Sequence, residues 1–151
     1  MLTASQQSFL HDAFVSAKRS GHIFPGMAAC EAALESTWGE SELAKDNNLF
    51  GQKQQVHPIY GTIHIPTREF IGGQWITEDA AWVKFPTLAD CFASRMDTLR
   101  RLSPSYPHYA AALAAGMPEA YVTQVSLSWS TDPERAAKCI EIFHAHQDLL
   151  K

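Results

Sequence analysis

The sequence predicts a mainly α-helical domain that carries one β-hairpin lobe. At 151 residues, 46% of them hydrophobic, the chain is long enough for one domain with a substantial core and too short for two. Apolar residues recur at helical spacings along most of the chain, whereas alternation with a period of two is confined to about residues 56–85. We therefore expect residues 1–151 to form a single helical domain with a hairpin lobe at about 56–85.

Two helices are expected at the N-terminal end. An apolar stripe predicts the first from about Ser5 to Lys18, with Thr3 or Ser5 as its N-cap. Pro25 can begin the second, because the N–H that proline lacks is not needed at the first helical position, and Gly39 can end it in a left-handed cap. Most of the second helix is expected to face a core, since its apolar residues fall at helical spacings: Met27, Cys30, Ala33, Leu34 and Trp38.

Glu35 is the acid that the second helix carries near its C-terminal end. Beside such an apolar face the carboxylate should be partly desolvated, which would raise its pKa from about 4.3. Glu31, four residues earlier, places a second carboxylate on the same face and would push one of the two further toward protonation. A raised pKa is what a general acid requires. The alternative, a solvated surface charge, is favoured when the helix is considered alone.

The segment from about 56 to 85 has the pattern of a β-hairpin. Its turn is expected at Gly72-Gly73, and the residues that define the alternation are Ile59, Gly61, Ile63 and Ile65. A two-stranded hairpin is marginally stable in water by itself. We therefore expect a mobile lobe unless the helical core or a ligand holds it.

The C-terminal half is expected to consist of packing helices. Thr87 begins one that runs to about Ser103, and two shorter helices follow at about 108–115 and 118–127. Asp132 is expected to cap the last helix, with Pro133 at its first position. All three cysteines lie in apolar helical patterns and are expected to be buried thiols: Cys30, Cys91 and Cys139.

Charge and composition exclude several classes of partner. The net charge of −4 provides no basic field, so we expect no nucleic acid partner and no attraction to an anionic membrane. No apolar run approaches the length of a membrane span. The spacing of His57, His64, Glu78 and Asp79 matches no ligand signature, so we expect no metal site.

Four motifs occur in the order seen in one enzyme family. They are Ala32 to Gly39 around Glu35, Asn48-Leu49-Phe50-Gly51, Thr67-Arg68-Glu69-Phe70 and Ser130-Thr131-Asp132-Pro133. The chain, from roughly residue 5 to 145, resembles the glucosaminidase family of peptidoglycan hydrolases, glycoside hydrolase family 73, which includes the flagellar muralytic domain and bacterial autolysins. The resemblance implies a lysozyme-like α+β fold, with the substrate in a groove between the helical core and the hairpin, and no cofactor.

The resemblance implies roles for two carboxylates. Glu35 becomes the general acid, and Glu69 becomes the second carboxylate, which would activate water or stabilise the oxocarbenium-like centre. Alternatively the sugar's own N-acetyl group assists, and Glu69 only orients the reactants. Without the resemblance, the favoured interpretation of Glu69 is an exposed strand residue paired with Arg68 or Lys84.

The substrate-binding residues implied by the resemblance are mostly aromatic. Phe50 and Gly51 are expected in the wall of the groove, and Trp129 stands where family members usually have tyrosine, so the ring is kept and the hydroxyl is lost. Trp38 and Trp82 are further candidates, because aromatic faces bind the apolar faces of sugars. Core packing is the alternative for each aromatic residue.

The expected reaction is hydrolysis of a β-1,4 bond in peptidoglycan glycan strands, most simply as an endo-β-N-acetylglucosaminidase. The alternatives are a muramidase, a lytic transglycosylase, or a non-catalytic wall-binding or virion module. Residues 1–20 lack the pattern of a signal peptide. We therefore expect a monomer made in the cytoplasm that reaches the wall after lysis, through a holin, in a virion, as in a phage endolysin, or through a secretion machine.

Overall fold

Six α-helices and one two-stranded antiparallel sheet make up the computed structural model, which describes all 151 residues. The mainly helical fold class with a β-hairpin is confirmed. The elements are α1 (Ala4–Arg19), α2 (Pro25–Glu35), β1 (Gly61–Ile71), β2 (Gln74–Lys84), α3 (Leu88–Leu102), α4 (Pro107–Leu113), α5 (Pro118–Trp129) and α6 (Arg135–Ala145). None of the helices combines the length and the apolar character that crossing a membrane requires.

Helix α2 is the centre of the core. Every residue from Met27 to Ala33 is fully buried, and α1, α5 and α6 pack around the helix. Four of these residues are alanines, so the neighbouring helices can approach its backbone closely. The three cysteines are buried in the same core as free thiols, as expected. Because α2 runs through the core, Glu31 is enclosed and Glu35, at its last position, emerges at the edge.

The predicted helix starts are largely confirmed. Thr3 and Gln6 form a reciprocal capping box on α1, and Pro25 begins α2. The expected start of the last helix is wrong: α6 begins at Arg135, and Asp132 caps the preceding turn instead, accepting a hydrogen bond from the backbone N–H of Glu134 at 2.9 Å. That local bond spans the turn at Pro133 and Glu134, and the helix begins only after it.

Helix α2 ends at Glu35, earlier than the expected end at Gly39. The backbone turns left-handed immediately afterwards, with φ angles of 51° at Thr37, 57° at Trp38 and 84° at Gly39. Residues other than glycine pay roughly 1–2 kcal/mol each for this conformation. The tight turn is held by Ser36, whose hydroxyl donates to the carbonyl of Ala32 at 2.6 Å and accepts from the N–H of Gly39 at 2.9 Å.

The hairpin has its root in the core and its tip in solvent. Strands β1 and β2 pair in register from Gly61 with Lys84 to Ile71 with Gln74, around a two-residue turn in which Gly72 and Gly73 have φ angles of 59° and 79°. At the root, buried Asn48 donates to the carbonyl of Val83 at 3.0 Å. The tip is exposed on both strands. The hairpin lobe is confirmed, and its mobility stays a prediction.

Candidate active site

A buried carboxylate, Glu31, organises the site. Its Oε2 accepts hydrogen bonds from Arg95 at 2.8 Å and from Arg135 at 2.7 Å, and its Oε1 accepts one from the hydroxyl of Tyr121 at 2.9 Å. Burial alone would raise the pKa of Glu31, but the charges of Arg95 and Arg135 and their hydrogen bonds lower it to about 2. The expected repulsion between Glu31 and Glu35 is therefore wrong, because guanidinium groups compensate both carboxylates.

Arg135 links this buried cluster to Glu35. Its Nε donates to Glu35 Oε1 at 2.7 Å, while its Nη1 donates to the hydroxyl of Ser126 at 2.8 Å. The Glu35 side chain is 26% exposed, and its Oε2 has no protein hydrogen-bond partner. Glu35 is partly shielded from solvent, as expected beside an apolar face, but it also contacts a charged guanidinium that the sequence did not predict. One carboxylate oxygen is thus fixed by the protein, and the other is available to a ligand.

Glu35 lines a cavity of about 320 Å³ at the foot of the hairpin. Phe50 and Gly51 also line it, as does Ile65 of β1. The same Phe50 and Gly51 border a second cavity of about 350 Å³, whose far side includes Trp129. The two cavities therefore adjoin along Phe50 and Gly51, with Glu35 lining one and Trp129 lining the other. We call the two cavities together the groove.

One wall of the groove is an aromatic pair, Phe50 and Trp129, whose rings both contact an arginine. The guanidinium carbon of Arg95 lies 3.9 Å from the ring centre of Trp129 and 4.3 Å from that of Phe50. Such contacts are attractive because the face of an aromatic ring is negative. Arg95 is held in turn by Glu31. The buried cluster therefore positions both the Glu35 carboxylate and the aromatic wall.

Trp38 and Trp82 lie outside these cavities. Trp38 packs against the core in the turn after α2, and the structure does not bring it into the groove. Trp82 lies at the hairpin root, where its Nε1 donates to the carbonyl of Ile65 at 3.3 Å and the ammonium of Lys53 lies 5.6 Å from its ring centre. Trp82 thus supports the hairpin beside Gly51.

Glu69 lies on the exposed outer half of β1 and lines no cavity. It shares a strand face with Ile65, which is four residues nearer the groove, or about 13 Å along an extended strand. Glu69 is the exposed strand residue of the expected alternative, but without the expected ion pair: Arg68 stacks on Trp75 at 4.9 Å, and Lys84 pairs with Asp46 at 3.8 Å. The structure therefore does not bring Glu69 to Glu35.

Two other carboxylates lie nearer the groove than Glu69. Glu42 lines the Glu35 cavity itself. Glu78 lies opposite Thr67 on β2, so it shares the face of Ile65 and Glu69 but lies two residue pairs closer to the root than Glu69. In the sequence analysis Glu78 was weighed only as a metal ligand, and Glu42 was not singled out. Neither residue belongs to a recognisable motif.

The arginines of the buried cluster were also missed. Arg95 falls on the apolar stripe of α3 between Phe92 and Leu99, and a charge at such a position indicates a buried partner. That signal was available in the sequence. The identity of the partner was not, since Glu31 is 64 positions away from Arg95 and 104 from Arg135.

Comparison with known proteins identifies the family. A family model described as glucosaminidase, mannosyl-glycoprotein endo-beta-N-acetylglucosaminidase, matches residues 11–148. The chain belongs to the glucosaminidase family. The family expected from the four motifs is confirmed, and with it the assignment to the glycoside hydrolases.

Two curated relatives of this glucosaminidase-family chain come from Lactococcus lactis and Bacillus subtilis. One, named probable N-acetylmuramidase, is from Lactococcus lactis and is 28% identical over 148 residues, covering 89% of this chain and 32% of the relative. The other, exo-glucosaminidase LytG of Bacillus subtilis, is 33% identical over 120 residues, covering 78% of this chain and 42% of the relative. The chain thus spans less than half of the length of either relative.

Solved structures share the fold of this glucosaminidase-family chain. The catalytic domain of the autolysin Auto from Listeria monocytogenes has a TM-score of 0.79 and 24% identity, with 99% of this chain and 88% of that one covered. The glycoside hydrolase domain of FlgJ from Salmonella typhimurium has a TM-score of 0.72 and 22% identity, with 95% and 98% covered. The expected fold, a helical core with a hairpin lobe beside a groove, is the fold of these hydrolase domains.

Proposed function

We propose that this chain hydrolyses the β-1,4 glycosidic bond of peptidoglycan glycan strands, on the reducing side of N-acetylglucosamine, with Glu35 as the general acid. The observation that carries the proposal is the position of Glu35: it closes a buried helix, lines a groove with a free Oε2, and faces the same groove as the Phe50–Trp129 wall. Membership of the glucosaminidase family supports a glycan substrate.

The ion pair with Arg135 bears directly on how Glu35 acts. A guanidinium neighbour opposes protonation of a carboxylate, whereas exclusion of water favours it. The Nη2 of Arg135 also donates to Glu31 at 2.7 Å, so one guanidinium serves both carboxylates. A sugar that covers the exposed 26% of the Glu35 side chain removes its remaining water. We infer that a bound glycan places its bridging oxygen against the free Oε2 of Glu35.

The second group of the reaction is the N-acetyl group of the substrate in this proposal. Two-carboxylate glycosidases place their acids about 5–10 Å apart. Glu69 lies far out on the hairpin, so it could act only if the lobe bent toward the helices. Substrate assistance needs no such movement, and Glu42 or Glu78 would then orient the glycan.

Replacing these three carboxylates one at a time by glutamine distinguishes the possibilities. With substrate assistance, kcat on purified walls stays within about tenfold of the parent for Glu42→Gln, Glu69→Gln and Glu78→Gln, a smaller change than the loss of a reacting group produces. A much larger loss confined to one variant would identify that carboxylate as the second catalytic group and refute substrate assistance.

Zymography on purified cell walls tests the role of Glu35. The wild type should clear the walls and Glu35→Gln should not, because an amide cannot donate the required proton. Glu40→Gln is the matched control, since Glu40 is exposed five residues away and lines no cavity. Equal clearing by wild type and Glu35→Gln, or clearing by neither, would contradict the proposal.

Mass spectrometry of the products tests the specificity. New reducing ends on N-acetylglucosamine are expected. Reducing ends on N-acetylmuramic acid would show a muramidase, and anhydro-muramic ends would show a lytic transglycosylase. A protein that sediments with walls but releases no fragments would instead be a binding module.

A further inference from the structure

The groove continues past Trp129 into a third cavity of about 180 Å³. This cavity shares part of its lining with the Trp129 cavity, including Lys53, Thr98 and Arg101. We call the region around Lys53 and Arg101, where the two cavities meet, the distal arm. The groove therefore continues beyond the two cavities that Glu35 and Trp129 line.

The distal arm carries two positive charges with no ion-pair partner. Neither Lys53 nor Arg101 forms a salt bridge, and the other charged group of the third cavity is Asp97, one helical turn before Arg101. His57 also lines that cavity. The Trp129 cavity contains both cations and no acid. Two unpaired cations on the same groove wall form a site for an anionic group.

The opposite end of the groove has the opposite charge. The Glu35 cavity is lined by Glu35 and Glu42 and by no lysine or arginine. The chain as a whole has a net charge of −4, so the positive charge of the distal arm is opposite in sign to the net charge of the protein. Uncharged sugars offer Lys53 and Arg101 only neutral hydrogen-bond acceptors, whereas a carboxylate on the same glycan would form stronger, charge-assisted hydrogen bonds there.

We propose that the distal arm binds a carboxylate of muramic acid, either the lactyl carboxylate of the sugar or one on its attached peptide. The site deepens the proposed function and rests on it, because the ligand belongs to the same glycan strand. Muramic acid is the sugar of that strand that carries such a group. The charges of the groove thus select wall glycan over an uncharged polymer of N-acetylglucosamine.

Equilibrium binding to the Glu35→Gln protein tests the site while the glycan stays intact. Isothermal titration calorimetry is carried out with three fragments of equal sugar length: a peptide-bearing muramyl fragment, the same fragment stripped by an amidase, and an N-acetylglucosamine oligomer. In this background, Lys53→Gln and Arg101→Gln should each weaken binding of carboxylate-bearing fragments about tenfold, equivalent to ~1.4 kcal/mol, while the uncharged oligomer changes less than about twofold.

Arg100→Gln is the matched control. It removes the same charge from the neighbouring position on α3, where the side chain is exposed and lines no cavity. Added salt should weaken only the binding of the charged fragments, because it screens exposed charges.

The pattern across the three fragments gives the source of the carboxylate. The lactyl carboxyl is an amide while the peptide is attached and becomes a carboxylate only in the stripped fragment. Weakening confined to the peptide-bearing fragment therefore assigns the site to a peptide carboxylate, and weakening confined to the stripped fragment assigns it to the lactyl carboxylate. Weakening of both fragments shows a site that accepts either carboxylate. The proposal is overturned if Lys53→Gln and Arg101→Gln match Arg100→Gln, or if they weaken the uncharged oligomer equally. If the charged fragments bind as expected but the wild type cleaves no wall, the site stands and the proposed hydrolysis fails.

Discussion

Replacing Glu31 by glutamine removes the charge that holds two buried arginines together. Arg95 and Arg135 are 0% and 1% exposed in their side chains, and both bond Glu31 Oε2. In the Glu31→Gln variant Glu35 is the one carboxylate left in contact with either arginine, through Arg135. Taking one partner from a buried ion pair typically costs about 3–5 kcal/mol, because the remaining charge stays buried without compensation.

The pKa of Glu31 gives an independent magnitude. Its fall from 4.5 to about 2 on folding corresponds to roughly 3 kcal/mol of stability at neutral pH. Because the pKa is lower in the folded state, this contribution is complete above the unfolded pKa of 4.5 and is lost as pH falls toward about 2. Both routes give a loss of about 3–5 kcal/mol at pH 7 for Glu31→Gln.

Urea unfolding followed by tryptophan fluorescence measures this loss. With a slope of roughly 2 kcal/mol per molar urea, a loss of ~3 kcal/mol lowers the midpoint by about 1.5 M. Glu134→Gln is the control, since its exposed carboxylate lies 3.9 Å from Lys138 and should matter by less than about 0.5 kcal/mol. A loss below about 1 kcal/mol for Glu31→Gln would refute the reasoning. So would a variant whose free energy of unfolding falls between pH 4.5 and 2 as much as that of the wild type.

Three further outcomes are expected. Burial lowers the pKa of His22 from 6.5 to about 3, so stability should fall as pH drops from 6.5 toward 3, and His22→Asn should remove that slope from thermal unfolding curves. Gly39→Ala should cost about 2–4 kcal/mol in urea unfolding, because Gly39 has a φ of 84° and a Cβ there would lie 2.6 Å from Phe9 Cδ2; an unchanged midpoint would contradict the clash. Trp129→Ala should raise KM on wall glycan about tenfold more than Trp129→Phe, which keeps a ring; equal KM values would remove Trp129 from the binding wall.

The charges of the buried cluster balance one another. Glu31 and Glu35 face Arg95 and Arg135, so two positive and two negative groups share one hydrogen-bonded cluster. Such a cluster is neutral as a whole, but the loss of any member leaves an uncompensated charge in the core. The same bonds fix the direction of Glu35 and hold Arg95 against the aromatic wall. Stability and the geometry of the proposed site therefore depend on the same contacts.

The local structure of this protein followed from its sequence. Helix starts at Thr3, Pro25 and Thr87, the Gly72-Gly73 turn and the position of Glu35 near a helix end were all predicted correctly. Each depends on residues within a few positions of one another, through caps, periodicity or allowed φ angles. The ordered motifs also identified the family, because they lie in segments whose local sequence is distinctive.

Only the tertiary structure decided what surrounds those residues. Packing of the helices brought Arg95 and Arg135 to Glu31. It also left Glu69 on the exposed half of the hairpin and placed two basic residues in the cavity that Trp129 lines. A carboxylate beside an apolar helical face has the same local sequence whether its partner is water or an arginine 100 positions away, as it is for Glu35. The partner of a buried charge is set by how the helices pack, and the sequence near that charge does not show which distant residue it will contact.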